Sequence, residues 1–311
     1  MGRWFVLFRE LARICFASAL HRLTTVKYGH RIANSPLGSF VCGKGPVIAR
    51  LRSGPQVLVF ADDYIGQAAY LWGDENPRIT TVVSVVLREG DSALDIGANF
   101  GVVGLVMAQI VGPTGQVHLF EPQPNVAQCL RTSLLMNNFS QATVHECALS
   151  DRTGTARMTL VDPSNLGETT LETDQCSAGS DGTQLEVKVE EAGRYVSALG
   201  LAKTALVKID VEDHEAVVLR SLREWLGAAR PPVILFECRH QGKQFQHFES
   251  VKILTGLGYE LLAYDLKPAW KTRLVPVLNN PSPAGYDFVA VLWSQLDDDR
   301  RSKLKAIVDI P

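Results

Sequence analysis

From residue 92 onward, short apolar runs alternate with segments of helical period. The runs typical of strands cover residues 93–96, 116–120, 143–147, 205–209, 233–236, 259–263 and 287–292. Helical patterns lie between most of the first five runs, at 102–111, 126–137 and 215–226. Strands that alternate with helices predict an α/β fold, with a mostly parallel sheet and helices on both faces. The proline-rich segment before the last run has no helical pattern, so the last two strands are predicted to form an antiparallel hairpin.

Additional segments precede this sheet domain. The three predicted units are an N-terminal amphipathic helix at 1–34, a cap layer at 35–90 and the sheet domain at 91–311. Within the cap layer, 57–60 is typical of a strand, and 62–87 is typical of a helix that is broken near 73–77. Residues 151–190 interrupt the main alternation with Ser, Thr, Gly and Asp, which predicts a β-ribbon and a loop.

The first 31 residues carry six basic side chains against one acidic side chain, and their bulky apolar residues recur at helical spacing. A helix that packs on its own domain, or on a second copy of the chain, accounts for this pattern. A basic amphipathic helix on a membrane surface is the alternative. We favour packing, which makes a homodimer one expectation and peripheral contact with the membrane the competing one.

The whole chain has 311 residues and a net charge of −2, so its charge gives no general attraction to nucleic acid. It has no run of about 18 apolar residues, the length that spans a membrane. The six cysteines lack the short spacing of a zinc site or a redox dithiol. Buried thiols in a reducing compartment are therefore expected, which predicts a cytoplasmic protein, with the inner membrane face as an alternative.

The strongest local signal is the turn that follows the first predicted strand of the sheet domain. There the chain reads Leu-Asp-Ile-Gly-Ala-Asn-Phe-Gly, and Gly97, Ala98 and Gly101 are small enough for a ligand to approach the backbone. A dinucleotide fingerprint would need glycine at Asn99 and Val102, and no Gly-Lys-Ser/Thr of a phosphate loop follows. The turn is therefore predicted to bind a ligand other than a dinucleotide or a nucleoside triphosphate.

The second strand ends in Phe120-Glu121-Pro122, twenty residues after Gly101. A carboxylate in this position can accept hydrogen bonds from both hydroxyls of a ribose. Asp95 adds a second carboxylate, which suits an ammonium-bearing ligand better than a phosphate. S-adenosylmethionine (SAM) combines a ribose, an ammonium and a sulfonium, so it fits these charges. Taken singly, Asp95 is also typical of a helix cap and Glu121 of an exposed strand end.

Four segments together resemble the FkbM-type methyltransferases, which use SAM and have the class I Rossmann-like fold. They are residues 90–101, 120–124, 207–219 and 232–237. The resemblance covers roughly residues 60–295 and implies a seven-stranded, mostly parallel sheet that ends in an antiparallel hairpin. The chain departs from the family at Asp213, where the family usually has glycine. Asp tolerates left-handed backbone angles better than most residues, so the loop is expected to keep its shape.

The resemblance also implies roles for individual residues. The residues that it places around the amino-acid part of the cofactor are Asp95, Gly97, Ala98 and Asn99, with Gly101 closing the turn. It places Glu121, followed by Pro122, on the ribose, and Ala148 against the adenine. It places Asp210 at the methyl-transfer site, with Glu212 and His214 nearby.

Charged residues at the end of the fourth strand need an explanation, because a central strand is normally apolar throughout. Lys208, Asp210 and Glu212 would share one face, and a Lys208–Asp210 ion pair without catalytic role is the alternative explanation. Glu237 ends the fifth strand and is predicted to reach the same rim, with hydrogen bonding to a neighbouring loop as its alternative. His214 has the ordinary pKa best suited to a general base.

Other ionisable residues compete with these assignments. His240 and the carboxylates are alternative bases, whereas His118 and His145 lie in strand patterns and are expected to be structural. No cluster has the spacing of a metal site. The sequence thus predicts a SAM-dependent methyltransferase that acts on a hydroxyl of a small molecule, natural product or glycan. An N-methyltransferase and a non-catalytic nucleoside-binding module, favoured by Asp213, are the alternatives.

Overall fold

The computed structural model describes residues 42–162, 165–172, 183–201, 203–240, 244–266, 271–277 and 283–308. The predicted N-terminal helix and its alternative contacts lie outside these residues. Residues 173–182 of the predicted ribbon and loop also lie outside the described residues. Within the described ranges, every helix is too short or too polar to cross a bilayer.

A small cap comes first among the described residues. Its elements are β1 (Pro46–Arg50), β2 (Gln56–Phe60), α1 (Tyr64–Trp72) and α2 (Pro77–Val86). β1 and β2 pair antiparallel, and the helix break predicted near 73–77 separates α1 from α2. The Asp63 carboxylate caps α1 by accepting the N–H of Gly66 at 2.9 Å, and α2 begins at a proline, which suits the first helical position.

The sheet domain follows with alternating strands and helices. Its first nine elements are β3 (Ser92–Ile96), α3 (Val102–Val111), β4 (Gln116–Phe120), α4 (Pro124–Met136), β5 (Ala142–His145), β6 (Ala148–Ser150), β7 (Gly154–Asp162), β8 (Asn165–Glu172) and β9 (Thr183–Glu191). The elements that complete it are α5 (Ala192–Ala198), β10 (Thr204–Ile209), α6 (Glu215–Ser221), α7 (Arg223–Ala229), β11 (Val233–Glu237), α8 (Glu249–Gly256), β12 (Glu260–Tyr264), β13 (Leu274–Pro276), β14 (Asp287–Val291) and α9 (Asp298–Lys305).

The central sheet has the strand order β13-β12-β14-β11-β10-β3-β4-β5. The five strands from β11 to β5 are parallel, and β14 runs antiparallel to both β11 and β12, as the predicted terminal hairpin requires. This arrangement is an α/β, class I methyltransferase-like fold with a mostly parallel sheet. Two clusters of buried apolar side chains lie on the two faces of the sheet, under the helices that cover it.

The sheet also departs from the prediction in detail. All seven predicted strands belong to it, but an eighth strand, β13, forms at its edge from a run too short to signal a strand. The strand predicted at 143–147 ends earlier, at His145, and pairs with β4 as β5. A short strand that was not predicted, β6, begins at Ala148 and joins a different sheet. Helix α8, which precedes β12, was not predicted.

A second sheet of four strands has the order β6-β9-β7-β8 and contains the predicted ribbon. Its strand β8 is held at Leu166 from two sides. The Leu166 N–H donates to Asp63 Oδ2, and the Gln123 side-chain amide donates to the Leu166 carbonyl, both at 2.7 Å. These two hydrogen bonds fix β8 between the cap and the carboxyl ends of the central strands.

The cysteines of the described ranges are consistent with the reduced thiols that were expected. Cys129, Cys147 and Cys238 are buried, and burial raises the pKa of each thiol, to about 12 for Cys147 and about 11 for Cys238. A raised pKa leaves these thiols protonated and unreactive at neutral pH.

Candidate active site

A cavity of about 590 Å³ opens at the carboxyl ends of β3, β4, β10 and β11. The turn between α1 and α2 covers it from one side, and strand β8 covers it from another. We call the part formed by Gly97, Ala98, Asn99, Glu121, Pro122 and Ala148 the loop end. We call the part formed by Glu75, Asp210, Glu212, Glu237 and Asp287 the acidic end. Carboxyl ends of parallel strands are where ligands bind in α/β sheets.

Glu121 dominates the loop end and is held by the backbone. Its Oε2 accepts the Asn99 N–H at 2.9 Å, and its Oε1 accepts the Gln123 N–H at 2.8 Å. The side chain is only 4% exposed, and burial raises its pKa to about 7 against the opposing effect of these hydrogen bonds. Each carboxylate oxygen keeps a lone pair for a further donor, so the group can bind two ligand hydroxyls.

The turn after β3 can form only with small residues at defined positions. Gly97 has a φ of 80°, and a Cβ there would lie 1.8 Å from the Asp210 carbonyl oxygen. Asn99 also has a left-handed φ, of 50°, and its Oδ1 accepts the N–H of Phe100 at 2.7 Å. The turn therefore lies close to the end of β10 and exposes its backbone to the cavity.

Two residues predicted to contact the cofactor lie outside the cavity wall. Asp95 is fully buried in β3, with Oδ1 3.2 Å from Lys208 Nζ. Gly101 faces helix α4, where a Cβ would lie 2.2 Å from Leu130 Cδ1. Asp95 therefore pairs with a lysine inside the sheet, and Gly101 allows two helices to approach closely. Direct contact of either residue with the cofactor stays a prediction.

Lys208 connects the buried sheet to both ends of the cavity. Its Nζ lies 3.3 Å from Asp210 Oδ2, as in the ion pair considered from sequence, and donates to the Gly97 carbonyl at 3.1 Å. Burial alone would lower its pKa, but Asp210 and Asp95 together raise it above the usual range. The lysine thus stays charged and holds the turn, β3 and the end of β10 in one arrangement.

The loop after β10 brings Glu212 to the acidic end. Glu212 and Asp213 have left-handed φ values of 55° and 70°, so the position where the family usually has glycine does need that conformation. Arg239 forms ion pairs with Glu212 and with Glu237, the latter at 3.1 Å from Nε to Oε1. Burial raises the pKa of Glu212 to about 8 and that of Glu237 to about 7.

The acidic end also contains the one group of carboxylates, among the described residues, whose spacing could suit a metal ion. Oxygen atoms of Asp210, Glu215 and Glu237 lie within 4.8 Å of one another. All three already have protein partners, because Asp210 pairs with Lys208, Glu215 Oε1 accepts the Val211 N–H at 2.9 Å and Glu237 pairs with Arg239.

His214 lies in the cavity wall, at the residue that precedes α6. Its Nε2 is 2.9 Å from Ser150 Oγ, and burial lowers its pKa below the usual value. The charges that act on it are those of Asp151, Arg152 and Arg220, so it faces β6 more closely than the acidic end. Its part in catalysis remains a prediction.

The three other histidines considered from the sequence lie outside the cavity wall. His240 is buried outside the cavity wall, with Nε2 3.1 Å from the Gly285 carbonyl. His118 and His145 stack with their ring centres 5.2 Å apart, and His118 Nδ1 lies 2.9 Å from His145 Nε2. Neither of these two lines the cavity, which agrees with the structural role expected for them.

Several residues of the wall were missed by the sequence analysis. Glu75, Asn76 and Arg78 come from the cap, Arg239 follows β11, and Asp287 begins β14. Tyr64, the first residue of α1, also lines the cavity. Arg239 lies two residues after the predicted Glu237, but no motif marked Glu75 or Asp287.

Comparisons with known proteins identify a matching family and several relatives. The Methyltransferase FkbM domain matches residues 95–261. The 31-O-demethyl-FK506 methyltransferase FkbM of Streptomyces tacrolimicus is 29% identical over 203 residues, which are 57% of this chain and 77% of the relative. A protein-L-isoaspartate O-methyltransferase of Ignicoccus hospitalis is 36% identical over 63 residues, 20% of this chain and 30% of the relative.

Solved structures include a methyltransferase FkbM from Methylobacillus flagellatus KT, with 15% identity and a TM-score of 0.43. The match covers 90% of this chain, which spans 59% of that solved chain. Fibrillarin of Aeropyrum pernix, solved with natively bound SAM, has 16% identity and a TM-score of 0.38 over 80% of this chain and 100% of that chain.

The strand order, the turn after β3 and the acid after β4 define a methyltransferase of Rossmann-like fold. The matched domain covers more than half of the sequence. The chain therefore belongs to the FkbM methyltransferase family.

Proposed function

We propose that this protein transfers the methyl group of SAM to a hydroxyl of a small molecule, natural product or glycan. The observation that carries the proposal is the position of Glu121 at one end of a cavity whose other end collects acidic side chains. The first end suits a ribose, and the second provides groups that can bind a hydroxyl and remove its proton.

The residues of the loop end fit the cofactor by their chemistry. Glu121 would bind both ribose hydroxyls, because its two oxygens are already aligned by backbone donors. Gly97 and Asn99 expose backbone for the amino-acid part, while Pro122 and Ala148 offer apolar contact for the adenine. When bound, SAM supplies a methyl group activated by its attachment to a sulfonium.

Further residues of this chain would hold the reacting groups in place. Ala98 lies between the two left-handed residues of the turn, and Asp95 acts through Lys208, which fixes the orientation of Asp210. Asp210 belongs to the acidic end, and its backbone carbonyl lies beside Gly97 of the loop end. The other candidates for acid–base work are Glu212, Glu237 and His214.

Transfer to oxygen is favoured by the relative from Streptomyces tacrolimicus, which is named for a 31-O-demethyl substrate. An N-methyltransferase and a binding module without catalysis remain the alternatives. Asp213 was the feature that favoured the binding module. Its left-handed φ of 70° supports catalysis instead, since the loop has kept the conformation expected of the family's glycine.

Calorimetric titration of the full chain with SAM, S-adenosylhomocysteine (SAH) and NAD tests the cofactor. We expect SAM and SAH to bind and NAD not to bind. Incubation with tritium-labelled SAM and matched hydroxyl- and amine-bearing acceptors then tests the reaction. Label in amines alone would favour N-methylation, and binding without transfer to any acceptor would favour the binding module. Failure of both SAM and SAH to bind would disprove the proposed function.

A further inference from the structure

Glu75 has a position in the cavity that the family resemblance does not assign. It lies on the turn between α1 and α2, and its side chain lines the acidic end. The turn belongs to the cap, whereas Asp210 and Glu237 belong to the sheet domain. Glu75 therefore approaches the cavity from the side opposite to the strand ends.

The residues on either side of Glu75 are fixed by hydrogen bonds. Asp74 accepts the Thr80 hydroxyl at 2.7 Å and the Asn76 N–H at 3.1 Å. The Asn76 side-chain amide donates to Asp287 Oδ2 at 3.0 Å, which ties the turn to the start of β14. Such a turn presents its central side chain in a defined place.

Glu75 itself has no hydrogen bond or ion pair among the described residues. The charged groups that face it are Lys208 and Asp210 from the end of β10, Asp287 from β14, and Asp74 from its own turn. Burial raises its pKa to about 8, and the acids around it act in the same direction while Lys208 acts against them. A half-buried carboxyl without a protein partner destabilises the fold, so a role toward a ligand explains its presence.

We propose that Glu75 is a catalytic residue which binds the acceptor hydroxyl and takes its proton during methyl transfer. The acceptor oxygen forms a bond to the methyl carbon while the bond from that carbon to sulfur breaks. The bonding electron pair goes to sulfur, which leaves as the neutral thioether SAH, and the hydroxyl proton goes to the Glu75 carboxylate. This inference rests on the proposed function and assigns its base to the cap.

Comparison of SAM with SAH tests the position of Glu75 without any acceptor. The two ligands differ at the reaction centre by one methyl group and one positive charge. At pH 9, above the pKa of Glu75, we expect Glu75→Gln to weaken SAM binding roughly tenfold relative to SAH binding. Glu75→Asp keeps the charge and should keep the ratio. Glu89→Gln, an exposed site far from the cavity wall, is the matched control.

Turnover then separates a base from a simple binding group. With the acceptor that takes up label and at saturating SAM, Glu75→Gln should lower kcat by roughly 10²–10⁴-fold, a larger effect than the tenfold loss of SAM binding. It should also abolish the rise of the rate as the pH increases toward about 8. An unchanged SAM-to-SAH ratio, or an unchanged kcat, would overturn the assignment. Failure of the unaltered protein to bind either ligand would instead disprove the proposed function.

Discussion

The two ends of the cavity are built by different physical means. At the loop end, Glu121 receives one backbone N–H on each oxygen, so its geometry is complete before a ligand arrives. At the acidic end, five carboxylates face only three basic side chains, those of Arg78, Lys208 and Arg239. Glu237 Oε2 is buried there without a hydrogen-bond partner among the described residues. The geometry of the first end is complete before a ligand binds, whereas the second end keeps Glu75 and one oxygen of Glu237 without a protein hydrogen bond among the described residues.

The largest expected effect is at the loop end. Glu121→Ala should remove the two charge-assisted hydrogen bonds that we propose to the ribose, each worth about 1.5–3 kcal/mol, so SAH should bind about 10²–10⁴-fold more weakly. Glu237→Gln at the acidic end should change SAH affinity by less than about threefold, because SAH carries no charge at sulfur. Calorimetry of both variants checks this contrast, and equal losses would remove the distinction between the two ends.

The next effect concerns Lys208, which joins the ends. Lys208→Met leaves Asp95 buried without its ion-pair partner and should lower the free energy of unfolding by about 3–5 kcal/mol. The double variant Lys208→Met with Asp95→Asn should recover part of this loss, since the remaining buried group is neutral. Denaturant unfolding of the single and double variants measures the coupling. Independent, additive losses would show that the pair does not act as a unit.

The acidic end should also make stability depend on pH. Glu75 and Glu212 have pKa values of about 8 in the fold, raised from 4.5 by burial. The folded state therefore binds more protons than the unfolded state between about pH 5 and 8, and stability falls as pH rises through this range. Glu212→Gln should reduce that fall by on the order of 1–2 kcal/mol after solvent screening.

Denaturation at pH 5.5 and pH 8.5 gives the comparison directly. Glu190→Gln is a surface control, because Lys188 lowers the pKa of Glu190 instead of raising it. Glu121 at the loop end acts in the same direction as Glu212, but over a narrower range that ends near its pKa of about 7. A fall in stability that Glu212→Gln leaves intact would show that Glu212 does not contribute to the pH dependence.

The smallest effect is expected at His214, beside the loop end. His214→Ala removes one hydrogen bond with Ser150 and should cost about 1 kcal/mol, with little change in SAH affinity. If Glu75 is the base, the acidic limb of the rate profile near pH 8 should persist in this variant. Burial lowers the pKa of His214, so a limb that depends on His214 would lie below pH 6.5. Loss of such a limb in His214→Ala would assign the base to His214.

The sequence predicted the loop end well because its residues are local. Gly97, Asn99 and Glu121 lie at the ends of two consecutive strands, where a periodic pattern fixes both the position and the neighbours. The same pattern locates Asp95 on a strand but does not show that a lysine from the adjacent strand occupies its face.

Asp210, Glu212 and Glu237 of the acidic end were predicted from the strand ends, but Glu75 and Asp287 could not be predicted in the same way. Glu75 and Asp287 come together only when the cap docks over the strand ends, through a hydrogen bond between residues 76 and 287. The spacing of apolar residues along the chain does not indicate which distant segments come into contact. The early end of the strand predicted at 143–147 is a similar case, because the chain after His145 turns to the second sheet, where Ala148 pairs with Val189.

The position of β14 has a consequence for how the chain reaches this state. β14 is inserted between β11 and β12, which both precede it in the chain. During synthesis, β11 and β12 therefore each have an unpaired edge until β14 has been made. The contact of Asn76 with Asp287 also joins residues that are 211 positions apart in the chain. Such long-range closure is slow and leaves unpaired strand edges exposed to other chains. Assembly of the acidic end is therefore expected to be among the last steps of folding, and the interval before it is when the nascent chain is most prone to aggregate.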